Sequence, residues 1–251
     1  MQIHKNAVAR IELTKDAAQT KDPLFSSILL RRSNKTAYRE EYLSPEHIKK
    51  FHSLKITSTQ SLQFAASKTA VTPHKEFAEK AMLLEMETPR TLRESIDRTR
   101  IGADEIRKNP DGIDLHGPLF WWLKNLRLMT PEKASTPGTI AYQGGIDYAL
   151  GWVEGTYNMG WLTTSDNSRE AQVNAGRSYV RLNLLATKLG VSMHPVSQIL
   201  QEYPEMQPLQ REFNEHVGIK DNEKVQMYFR IGYQKHPTPS PRRKLTDITR
   251  V

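Results

Sequence analysis

Apolar and polar positions alternate most cleanly over Val225–Ile231, where Val225, Met227, Phe229 and Ile231 are separated by Gln226, Tyr228 and Arg230. A period of two predicts a β-strand with one buried face. A shorter alternation over Ala7–Leu13 (AVARIEL) predicts a second strand, and Asn158–Thr164 reads as a short buried one. Elsewhere the spacing is helical. Asp22-Pro23 is placed to start a helix through Leu24, Ile28 and Leu29 that runs into Arg31-Arg32-Ser33. Ser44-Pro45-Glu46 supplies an N-cap, a proline at the first helical position and a first-turn acid, ahead of Ile48, Phe51 and Leu54. Helical patterning continues over Pro73–Leu84 and Pro89–Arg100, divided at Pro89. Pro110, Gly112, Gly117 and Pro118 predict a loop over Asn109–Pro118. The stretch Phe120–Trp161, which holds all four tryptophans, fits neither period.

The last third is more regular. Ser165-Asp166-Asn167-Ser168 offers N-caps for a long helix, with Asn167 and Glu170 at capping-box spacing. Ala175, Tyr179, Leu182, Ala186 and Leu189 share one face of that helix, and Gly190 is placed to stop it. Met206–Val217 predicts another helix, using Leu209 and Phe213 and closed by Gly218. Many helices and few strands, without strict alternation, predict an α+β fold. The chain reads as a single domain over 1–251, ending in a Pro-rich basic tail over 235–251.

Composition narrows the classes. Hydrophobic residues make up 37% of the 251 positions, enough for a core. No apolar run approaches the roughly 18 residues needed to span a bilayer, and Met1–Lys5 opens no signal-peptide core, so a cytoplasmic protein is expected. The absence of cysteine excludes disulfides, thiolate metal sites and cysteine nucleophiles. A net charge of +8 suits a nucleic acid, a phosphorylated cofactor or merely a basic soluble surface. Within Arg90–Arg107 the cations interleave with Glu94, Asp97, Asp104 and Glu105, the mark of a solvated helix rather than a nucleic-acid stripe.

Two basic clusters carry candidate chemistry. Arg31-Arg32-Ser33-Asn34-Lys35 can hold a phosphate or the polar edge of a ring through charge-assisted bonds, and equally suits a basic helix end. Ser240-Pro241-Arg242-Arg243-Lys244 lies among prolines that stiffen it, or forms a basic terminus. The eight histidines have no metal-ligand spacing, so no metal is expected. His4, His47, His52 and His74 read as surface residues, and His116 and His194 as loop residues beside Gly or Pro, open to a site role. No GxSxG, phosphate-loop or GxGxxG pattern is present. Trp121, Trp122, Trp152 and Trp161 can stack on a planar ring or belong to a core.

Three blocks, in order, resemble the nitroreductase-like family: DPLFSSILLRRSNKTAY; the block from Gly160 to Gln198; and FRIGY followed by PSPRRKLTDI. The first is similar to that family's opening helix and Arg-Arg-Ser-x-Arg signature, and the likeness is nearest to its internally duplicated, Acg-type branch. The resemblance implies a central mixed or antiparallel sheet flanked by helices, and FMN held without a covalent link. Arg31, Arg32, Ser33 and Lys35 would contact the flavin, and Arg242 and Arg243 its phosphate. NAD(P)H would donate electrons to a nitro or quinone acceptor, with flavin sequestration as the alternative. No catalytic acid or base is implied, because the ring does the chemistry. The sequence departs at Lys35, where arginine is usual, and it lacks the family's Pro-Ser-x-x-Asn-x-Gln-Pro-Trp loop. Two expectations follow: the chain corresponds to the second half of a duplicated protein, and it dimerises or depends on an N-terminal half.

Overall fold

A computed structural model of the chain describes residues 12, 14–54 and 57–249. The strand expected over Ala7–Leu13 lies outside the described residues apart from Glu12. The helix expected after Asp22-Pro23 shrinks to one 3-10 turn, Phe25–Ser27. Its apolar residues explain this: Phe25, Ile28, Leu29 and Leu30 stay exposed, so no buried stripe rewards a longer helix.

Helix α1 (Pro45–His52) starts where its sequence signal lies, with Ser44 Oγ accepting from the His47 amide at 3.2 Å. Strand β1 (Gln60–Ala65) follows, then α2 (Lys68–Glu87). Ser67, not Pro73, caps α2, its Oγ accepting from the Ala70 amide at 3.3 Å. Pro73 falls inside the helix, which tolerates the loss of one bond because its buried face (Val71, His74, Ala78, Ala81) continues past it. His74, expected at the surface, is therefore buried. Helix α3 (Pro89–Asp97) ends short of Arg100, because Thr99–Ile101 forms strand β2. After α4 (Gly102–Lys108), the expected loop contains β3 (Ile113–Leu115), which pairs in parallel with β2. The unassigned stretch is helical through α5 (Pro118–Asn125), α6 (Pro131–Ala134) and α7 (Ile140–Leu150).

Strand β4 (Met159–Thr164) is buried throughout. The long helix α8 (Arg169–Lys188) is capped by Ser168, whose Oγ accepts from the Ala171 amide at 3.2 Å. Asn167, expected as the cap, instead accepts from Gln226 Nε2 at 3.1 Å. Gly190 ends the helix region with φ +70°, a conformation that costs glycine little. Then come β5 (Ser192–Pro195), α9 (Gln207–His216), β6 (Lys224–Gly232) and the short α10 (Leu245–Ile248).

The main sheet is four-stranded, in the order β1-β4-β6-β5, with every pair antiparallel. Its two faces carry separate cores. Met159, Trp161, Val225 and Tyr228 pack with α2 and α9 residues such as Ala78, Ala81 and Phe213. Leu162, Met193, Phe229 and Ile231 pack with Phe51 of α1 and Ala175, Leu182 and Ala186 of α8. A register shift between Leu162 and Thr163 explains why Val225 shares a face with Tyr228 and not with Phe229. No helix among the described residues is long and apolar enough to cross a membrane.

Candidate functional site

A cleft of about 750 Å³ opens between the β5 end of the sheet and the helices that follow α2. Met82 and Met86 of α2, Leu92 and Ile96 of α3, Ile101 and Ile113 of the small sheet, and Ala149 and Trp152 make its walls apolar. Lys35, Thr36 and Ala37 form one rim, with His194 and Gln198 beside them. That volume lies in the usual range for small-molecule sites, and so does the mix of apolar walls with few polar groups.

The polar groups differ in how far they are committed. Lys124 Nζ donates to Glu105 Oε1 at 2.6 Å and to the Ile101 carbonyl at 2.8 Å. Glu85 has only long contacts, receiving bonds from Ser95 Oγ and Gln201 Nε2 at 3.4 Å each. Burial pushes its carboxyl above the usual range. Burial, and then the charge of Asp114, likewise raises the Tyr148 hydroxyl. The Lys35 ammonium has no partner among the described residues, and its charge acts on His194.

Beneath the rim lies Arg230 of β6, wholly buried and, among the described residues, without a carboxylate partner. Its Nη2 donates to the carbonyls of Asn34 (3.0 Å) and Thr36 (2.8 Å), and its Nη1 to that of Trp152 (3.3 Å). Its Nε donates to His194 Nδ1 at 3.0 Å. The guanidinium also stands 4.2 Å from the ring centre of Tyr38 and 5.3 Å from that of Trp152. Burial pushes Arg230 down to about 10, so it stays charged at neutral pH. One side chain thus ties the Asn34–Thr36 segment, the end of α7 and strand β5 together.

The candidate residues read from the sequence are distributed, not gathered. Lys35 reaches the cleft. Ser33 makes an isolated parallel bridge to Met193 on β5, which fixes the segment beside the sheet. Arg32 spends its guanidinium on the carbonyls of Leu29 (2.7 Å) and Arg31 (2.9 Å). Arg31 turns toward α8, where its charge acts on Tyr179. In the tail, Arg242 bonds the carbonyls of Ser240 and Pro241, while Arg243 pairs with Asp111, which also holds Arg100 at 3.1 Å. Asp111 lies just before β3, so the tail is anchored at the outer edge of the cleft's small sheet. Trp152 lines the cleft, Trp161 is in the core, and Trp121 and Trp122 are exposed.

Nothing in the sequence distinguishes Arg230 or Glu85, and His194 stands out there only as a loop histidine beside proline. Arg230 occupied a polar position in an alternating strand, the place of a solvated residue. The burial of both strand faces near Phe229–Gly232 is what reverses that reading. His194 sits on β5 and not in a loop.

No family model and no curated protein matches the chain. Solved structures do. A nitroreductase with bound FMN from Bacteroides fragilis is 14% identical, with a TM-score of 0.51 over 92% of this chain and 100% of that one. The FMN-dependent nitroreductase NfnB from Mycobacterium smegmatis, in complex with NADPH, is also 14% identical, at 0.51 over 90% and 96%. An FMN- and NADPH-dependent nitroreductase NfnB mutant from a sphigopyxis strain is 12% identical, at 0.51 over 91% and 98%. At such identities the likeness concerns architecture, and the four-stranded antiparallel sheet flanked by α1, α2, α8 and α9 is accordingly a nitroreductase-like fold.

Proposed function

We propose that this chain is an FMN-binding protein of the nitroreductase type, passing electrons from NAD(P)H to a nitro or quinone-like acceptor. One observation carries the reading. On a nitroreductase-like fold, Lys35 of the Arg-Arg-Ser-Asn-Lys segment, without a partner among the described residues, opens into a large apolar cleft beside Trp152 and His194. The residues present fit a flavin ring: the walls are apolar, and the polar groups concentrate at the Lys35–His194 rim. When bound, the isoalloxazine ring supplies the electron-transfer chemistry between nicotinamide and acceptor.

The chain's own residues do the rest. The Met82, Met86 and Leu92 walls exclude water and so strengthen every charge effect inside. Lys35 offsets negative charge on the ring. Glu85, whose carboxyl burial pushes above the usual range, is the weakly held acid of the cleft lining. On this reading Arg31, Arg32 and Ser33 frame the flavin from the sheet side. Arg242 and Arg243 would take the phosphate once Arg243 exchanges Asp111 for it. A homodimer is part of the proposal: Val173 and Val180 of α8 and Leu29 and Leu30 beside it are exposed, and they offer a self-complementary apolar face.

The test is direct. Purified protein mixed with FMN and desalted should keep a shifted visible flavin band, and should then consume NADPH or NADH when given a nitroaromatic or quinone. Retained flavin without consumption would replace the oxidoreductase reading with flavin binding alone. Loss of flavin on desalting would remove both.

A further inference from the structure

His194 is constrained by two independent features of its surroundings. Its Nδ1 lies 3.0 Å from the Nε of Arg230, which can only donate. The Nδ1 lone pair is therefore taken, and the ring proton belongs on Nε2. That second nitrogen has no partner among the described residues, and the histidine lines the cleft. The ring stands edge-on to Trp152, with centroids 6.0 Å apart and planes at 88°, so it cannot swing freely within the rim.

Arg230 is itself immobilised. The carbonyls of Asn34, Thr36 and Trp152 hold its other nitrogens, and Tyr38 covers its face. Backbone carbonyls take three of the four Nη hydrogens and so brace the chain, while the Nε–H is spent on an imidazole that lines the cleft. The Nε contact instead converts a buried cation into a device that orients a cleft side chain, as outer groups orient ligating histidines elsewhere.

We propose that Arg230 fixes His194 as the ligand-facing hydrogen-bond donor of the cleft, its Nε2–H reading an acceptor atom on the edge of the bound flavin ring. The inference rests on the flavin reading above and adds to it a specificity-determining residue, His194, and a positioning residue, Arg230. Charge supports it. Burial, then the cations Arg230 and Lys35, all disfavour a second proton and push His194 down to about 3. Arg230 from β6 and Lys35 from the rim are the charged groups that act on the ring, and neither is an anion. His194 thus keeps one proton throughout the neutral range and cannot shuttle it; its role is recognition.

Long-range proton–nitrogen spectra of protein labelled with ¹⁵N-histidine test this, recorded from pH 5 to 8 with and without FMN. His194 should show a protonated Nε2, a bare Nδ1 and no titration across that range, and FMN should move the Nε2–H resonance. His194→Leu should weaken FMN binding by about tenfold, the loss of one buried hydrogen bond. His194→Gln, which keeps a donor, should stay within about threefold of the parent. Thermal melts of both variants confirm folding. A protonated Nδ1, a titration near the ordinary histidine value, or a His194→Leu variant that binds FMN as well as the parent would overturn the proposal. So would a retained flavin band with an unmoved Nε2–H, which leaves the flavin reading standing. A parent protein that retains no flavin band overturns both together, and the visible spectrum separates the two failures.

Discussion

Replacing Arg230 by methionine and by lysine should destabilise the protein in an order that side-chain similarity does not suggest. Methionine removes the charge and keeps much of the volume. It leaves four acceptors without Arg230: His194 Nδ1 and the carbonyls of Asn34, Thr36 and Trp152. Two of these keep another donor, because Tyr38 Oη donates to the Asn34 carbonyl at 3.0 Å and Thr156 Oγ1 to that of Trp152 at 2.9 Å. The other two lie at the part-buried cleft rim, where water can replace the guanidinium. Lost charged hydrogen bonds and the Tyr38 contact are therefore partly offset by no longer burying a cation, for a net loss of about 2 kcal/mol. Lysine keeps the cation buried but offers it a compact head that cannot span four acceptors in a fork. Its loss should be larger, about 3–5 kcal/mol, the range for a buried charge deprived of partners. Urea unfolding at pH 7, with unchanged slope, measures both through the midpoint. A lysine variant more stable than the methionine variant would refute the claim that Arg230 acts through its multidentate geometry.

Acid should weaken the fold. Burial, then His216, pushes His74 down to about 4, and His194 lies lower still. The unfolded chain protonates these histidines near their ordinary value while the folded one does not, so stability is full above about pH 6.5 and is lost as pH falls. The slope is at most about 1.4 kcal/mol per pH unit for each histidine, and His74→Gln should flatten it between pH 6.5 and 5 in urea titrations. Gly160 faces Phe229 across the β4–β6 pair and Phe64 across β1–β4; a Cβ there would sit 2.6 Å from the Phe229 ring. Gly160→Ala should therefore cost about 2 kcal/mol in the same assay, as overpacking of a rigid core does, and a neutral result would contradict the packing described. Asp111→Asn should release Arg243 and tighten FMN binding several-fold by fluorescence quenching if the tail arginines take the phosphate. Unchanged binding would assign Arg243 a bracing role.

The sequence exposed those elements whose signal is local. Ser44 and Pro45 mark α1 because capping involves atoms a few residues apart, and Gly190 and Gly218 mark stops because positive φ is a property of one residue. The α8 cap is displaced by one residue because Asn167 has a distant partner, Gln226, that outcompetes the local bond. Pro73 misleads for a similar reason: a proline one turn into α2 is a weak penalty beside the buried face that α2 gains. Of the basic segment, sequence alone could not separate Lys35, which faces the cleft, from Arg32, which bonds its own backbone. Arg230 could not be found at all, and His194 only as a loop histidine open to a site role, since their pairing depends on β5 and β6 lying side by side, with His194 opposite Arg230.

The flavin proposed for this fold would lie in the Lys35–His194 cleft. The visible spectrum of the protein after FMN is added and excess is removed by gel filtration tests it most directly, alongside a Lys35→Glu variant. A shifted flavin band should travel with the parent protein and be at least tenfold depleted, about 1.4 kcal/mol or more of lost binding, in the variant. Flavin that elutes free of the parent protein, or stays equally with both, would contradict it.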